Sequence, residues 1–167
     1  MDGHRFRVFS AKYNVNYPNT FITGGWDNSV QYWDDRQPHA FNKFSGPHVC
    51  GDAIDIETYS DTIVTGSWRK DNVIQIWDFL SAKKLMDVPQ DKRHQSQLYC
   101  IQWLNKEHVV GGGSSENLVH IIDLRSQNTI GQIYNLAQGV FCIDIEHQLK
   151  NPRIAIGSGH FVYFVRC

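Results

Sequence analysis

This chain of 167 residues is short of several features that would steer it toward a particular class. It has no apolar run near the ~18 residues a membrane-spanning helix needs. Its opening residues, Met1 to Arg5, lack the apolar stretch of a secretion signal. It carries no excess of charge: 16 basic residues stand against 17 acidic ones, for a net −1. A general nucleic-acid binder needs a basic face, and an anionic membrane surface attracts polybasic segments, so neither nucleic acid nor membrane is expected as a partner. The four cysteines, at positions 50, 100, 142 and 167, form no CxxC pair. That pattern indicates neither a zinc ribbon nor a thioredoxin-type site, and points to reduced thiols in a cytoplasmic or nuclear protein. The longest helix candidate, Ser81 to Met86, is too short to hold by itself. No nucleophile elbow, phosphate loop or paired-carboxylate motif is present. Gly111, Gly112 and Gly113 are followed by neither a lysine nor a helix, so they read as a tight turn rather than a phosphate cradle.

What is there is β-forming. Hydrophobic residues make up 41% and charged residues 20%, the balance of a globular domain. Short runs rich in Val, Ile, Tyr and Trp alternate with clusters of Gly, Asn, Asp and Ser. This predicts an all-β chain.

The runs also repeat. TFITGGWDNSVQYWD ends at Asp34, TIVTGSWRKDNVIQIWD at Asp78, and HVVGGGSSENLVHIID at Asp123. The closing aspartates are 44 and 45 residues apart, and a fourth copy, RIAIGSGHFVYFVR, ends at Arg166, 43 further on. His4, His48 and His94 precede the three aspartates by 30, 30 and 29 residues. Each unit predicts four short strands, the first unit at about 7–14, 20–24, 30–34 and 40–44. A lone four-stranded sheet cannot bury both faces, but stacked copies can.

A period near 44 with the dipeptides Trp33-Asp34 and Trp77-Asp78 resembles the WD40 repeat of β-propellers. The resemblance implies about four blades, at roughly 4–46, 47–91, 92–135 and 136–167, the last without its outer strand. That is half of a seven- or eight-bladed ring. A C-terminal fragment, a short isoform, a missing N-terminal half-propeller and a half that closes as a homodimer all fit. The resemblance also implies a hydrogen-bonded tetrad in each blade. In the first it falls on His4, Thr23, Asp27 and Trp33. In the second His48, Thr65 and Trp77 match, with Arg69 at the aspartate position and Asp71 as a substitute. In the third only His94 remains. Cofactor and metal are not expected, because one histidine per blade does not converge on a point. Cys100 and Cys142 recur at one strand position, which indicates packing.

In this family the end of the blades bearing the d–a and b–c loops often holds partners. There the sequence places Phe9, Trp26, Trp68, Tyr99 and Phe141, with Arg7, Asp52 and Arg69 among them. Aromatic residues and arginine dominate protein-binding hot spots. The expected function is therefore non-enzymatic: an interaction module for a protein or peptide. The alternative is a structural half-propeller whose open edges drive assembly. An enzyme would require converging titratable groups, which the sequence does not offer.

Overall fold

The computed structural model describes residues 3–147 and 151–166. These hold fifteen β-strands in four antiparallel sheets. The first sheet is β1 (Val8–Asn14), β2 (Tyr17–Gly25), β3 (Ser29–Asp34) and β4 (Asn42–Ser45). The second is β5 (Ile54–Glu57), β6 (Thr62–Gly66), β7 (Ile74–Asp78) and β8 (Lys84–Val88). The third is β9 (Gln97–Trp103), β10 (His108–Ser114), β11 (Val119–Asp123) and β12 (Asn128–Ile133). The fourth, among the described residues, is β13 (Val140–Glu146), β14 (Arg153–Ser158) and β15 (Phe161–Arg166). In every sheet the strands lie side by side in chain order. The architecture is a four-bladed, all-β propeller arrangement.

The connections follow from local chemistry. Asn28, Asn72 and Asn117 sit at the same place in the three β-turns that follow β2, β6 and β10, each with φ between 50° and 59°. Asparagine tolerates this left-handed backbone better than a branched residue does. Asn14 closes the first hairpin by accepting the Asn16 amide at 2.8 Å. That tight two-residue turn lets β2 start at Tyr17, three residues before the position the apolar run predicts.

The innermost strands stack in sequence, β1 against β5, β5 against β9, and β9 against β13. One apolar core joins the first three sheets and another joins the third to the fourth. Phe44 stacks on Trp77 at 4.0 Å, and Tyr32 packs on Phe79 at 5.1 Å. The three glycines expected in a turn instead lie inside β10. Gly112 makes room for Val140 of the next blade, where an added Cβ would approach the Val140 side chain to 2.5 Å. Gly111 makes room for His120. Close approach, not turn geometry, is why these positions lack side chains.

Candidate partner-binding face

The polar networks that hold the loops come first, because they aim the face. In the first blade Trp33 Nε1 donates to Thr23 Oγ1 at 2.7 Å, Thr23 Oγ1 meets His4 Nε2 at 2.6 Å, and His4 Nδ1 meets Asp27 Oδ2 at 2.9 Å. With Thr23 donating its single proton to Nε2, the His4 proton lies on Nδ1 and points to the carboxylate. Burial pushes the Asp27 carboxyl up. Hydrogen bonds from Ser29, the Arg5 amide and His4 outweigh this and hold it below its ordinary value. The chain of four groups pins the turn 26–28 against the approach to β1.

The second and third blades each keep half of this device. In the second, Trp77 Nε1 donates to Thr65 Oγ1 at 3.1 Å, but His48 does not join them. Its Nδ1 meets Asn28 Oδ1 of the first blade at 2.7 Å instead. The turn after β6 is longer and carries Arg69 where a carboxylate would sit. Burial first, and the Arg69 charge second, push the His48 imidazole down. Asp71 therefore does not substitute. In the third blade His94 meets Glu116 Oε2 at 2.7 Å and stacks on Tyr134 at 5.5 Å. Glu116 precedes Asn117 as Asp27 precedes Asn28, so that pair of residues was the signal that the sequence reading missed. With Gly111 and Ile122 in place of a hydroxyl and an indole, nothing continues the chain inward.

At this end of the blades the predicted aromatic residues form two groups. Phe9 lies 5.3 Å from Trp26, and the Arg7 guanidinium sits 5.2 Å above the Trp26 ring. Trp68 lies 6.3 Å from Tyr99, which lies 5.0 Å from Phe141. Trp26 and Trp68 are 41% and 39% exposed, although both backbone amides are tied down, to Arg7 and to His48. Their indole N–H groups also have partners: Trp26 donates to Cys50 Sγ at 3.1 Å and Trp68 to Ser114 Oγ at 3.3 Å. The rings are thus held in place while part of each remains open to solvent. Burial raises the Cys50 thiol more than the Trp26 hydrogen bond lowers it, so Cys50 stays a thiol at neutral pH.

Two predicted residues are placed differently from the aromatic set. Asp52 is engaged from below, by Ser10 Oγ at 2.7 Å and Lys12 Nζ at 3.3 Å. It couples the first two blades. Arg69 is exposed on its turn beside His48. Next to the aromatic run, an open cleft of about 570 Å³ is lined by His94, Glu116, Tyr134 and their neighbours. The cysteines divide: Cys100 is buried, but Cys142 is exposed, against the packing expected of both. Cys100 is covered by the fourth blade, and among the described residues no sheet covers Cys142.

Comparison with known proteins agrees with this architecture. The family described as WD domain, G-beta repeat matches residues 1–34. The chain is a WD40-repeat β-propeller chain. It is 22% identical over 127 residues to the peroxisomal targeting signal 2 receptor of Schizosaccharomyces pombe, across 75% of this chain and 40% of that protein. It is 22% identical over 141 residues to a guanine nucleotide-binding protein subunit beta of Zea mays, across 81% and 36%. It is 30% identical over 131 residues to the protein transport protein SEC31 of Dictyostelium discoideum, across 74% and 10%. The chain thus spans 40% or less of the length of these WD40 relatives.

Proposed function

We propose that this WD40 chain is a non-enzymatic scaffold that holds a protein or peptide partner on its aromatic end face. The observation that carries the reading is the set of anchored but partly exposed rings at Trp26, Trp68 and Phe141, with Arg7 on Trp26. Large rigid rings with their polar handles already satisfied lose little entropy on binding. The similar proteins are named as a receptor, a G-protein subunit and a transport protein, which is consistent with that role. Arg7 and Arg69 favour a ligand with an apolar anchor and an acidic neighbour. The test is binding to an array of short peptides. Peptides pairing an aromatic or leucine with Asp or Glu should be retained. Trp26→Ala and Trp68→Ala should weaken retention about tenfold each, the cost of a modest hot spot. Unchanged retention in both variants would remove this face from consideration.

A second reading rests on a separate observation. The outward face of the fourth blade leaves Val162 and Phe164 exposed. On this reading the open blade faces drive assembly with another blade-like sheet, and the end face is completed by that assembly.

A further inference from the structure

The open face of the fourth blade has a known geometry, because the same register positions are covered elsewhere in the chain. Register pairs Gly157 with Val162 and Ala155 with Phe164. The residues that match Val162 in the first three blades are Val30, Ile74 and Val119, exposed by 0%, 0% and 2%, whereas Val162 is 65% exposed. Those matching Phe164 are Tyr32, Ile76 and Ile121, of which the first two are buried, whereas Phe164 is 80% exposed. In each covered case the cover is the innermost strand of the next blade. Gly24 receives Ile54, Gly66 receives Leu98 and Ile101, and Gly112 receives Val140. At Gly157 an added Cβ would meet only Cys142 and the backbone of the same sheet. Among the described residues, nothing fills the slot that takes the next blade.

A row of polar latches runs the same way. Lys12 of β1 reaches Asp52 of the second blade. Asp55 of β5 accepts the Trp103 amide of the third at 2.9 Å. Gln102 of β9 donates to the Ile143 carbonyl of the fourth at 3.2 Å. Asp144 of β13 holds the next position and is exposed.

The opposite end of the chain carries the matching half. The first blade faces outward with Ala11, Tyr13 and Phe21. Their counterparts in the third blade, Ile101, Trp103 and Val109, are buried against the second. Ala11 and Tyr13 are exposed. Val8, the counterpart of the residue that fills Gly112, is exposed as well. Among the described residues, the chain therefore presents both a face with no following blade packed against it and a face with no preceding one.

We infer that the fourth blade of this chain takes the first blade of a second copy, head to tail. Val8 and Ala11 of the second copy enter the slot at Gly157, and its Tyr13 amide meets Asp144. This rests on the reading that the open faces assemble. It names the occupant: two four-bladed copies, each joined to the other twice, close a ring of eight, within the usual range of blade numbers. Such contacts are unlike patch against patch, so closure by rotation is what prevents an open fibre.

The experiment is solution mass by light scattering on the whole chain and on two variants that change only exposed residues, Val162→Glu/Phe164→Glu and Ala11→Glu/Tyr13→Glu. The intact chain should have about twice the 19.2 kDa chain mass. Each variant alone should lose the dimer and keep its β-sheet circular dichroism. An equimolar mixture of the two retains one good junction and should regain the doubled mass. Like-with-like pairing predicts no rescue, which would overturn the inference. A monomeric intact chain would overturn it too, and amide exchange then separates the causes. Rapid exchange along β15 means the face is open and awaits a different sheet, so only the second copy is wrong. Slow exchange means the face is already covered, so the assembly reading fails with it.

Discussion

The third and fourth blades are built alike and end in different surroundings. Both begin with a strand carrying a cysteine, Cys100 or Cys142, opposite a glycine, Gly112 or Gly157. Both have the same register irregularity just before it. Yet Cys100 is buried between sheets and donates weakly to the carbonyls of Gly112 and Val140, while Cys142 is exposed. Val119 and Val162 differ in the same way. The pattern within a sheet decides which residues share a face, and the neighbouring sheet decides whether that face is core.

The largest expected effect breaks the likeness outright. Val119→Glu places a charge in a dry inter-blade core and should cost more than about 4 kcal/mol, enough to unfold a chain of marginal stability. Val162→Glu, at the matching position, should stay within about 0.5 kcal/mol, as surface substitutions do. Urea midpoints measure both, at a protein concentration too low for self-association. Similar losses in the two variants would mean that the fourth blade is covered after all.

A smaller effect is confined to the third blade. His120 stands in β11 where the first two blades have Gln31 and Gln75 and the fourth has Tyr163. It is fully buried, and burial pushes its imidazole down to about 4. The unfolded chain takes up a proton near pH 6.5, well before the folded one does. The stability tied to the neutral ring is therefore present above about pH 6.5 and is lost as pH falls toward 4, by roughly 3 kcal/mol in all. His120→Gln, which restores the residue of the first two blades, should flatten that slope in denaturant titrations between pH 7.5 and 5. An unchanged slope would place the sensitivity elsewhere.

The finest distinction is kinetic. Burial raises the Cys100 thiol strongly and shields it, so maleimide should modify Cys142 at least about 100-fold faster in a Cys167→Ser background. Formation of the dimer should slow Cys142, because its face becomes an inter-blade face like that of Cys100. Mass spectrometry after timed quenching reads both rates.

Much of this was legible from the residues alone. The period near 44 and the strand positions follow from alternation, turn residues and spacing within one blade, and the His4 network is what the resemblance to the WD40 repeat implies. His48 and His94 were less legible. Their spacing matches His4, but the partner depends on whether the facing turn offers a carboxylate and an inner hydroxyl. Arg69 removes the first from His48, and Gly111 removes the second from His94. Asp52 reads as a surface charge until Lys12 and Ser10 of the preceding blade are seen beneath it.

Local order in this chain was decided by its sequence: strand period two, asparagine at the left-handed turns, and one repeat per sheet. Such preferences act over a few residues and need no distant partner. What tertiary structure alone decided is which copies of an identical pattern are core and which are surface. That depends on a second sheet lying about 10 Å away, a term no single repeat contains.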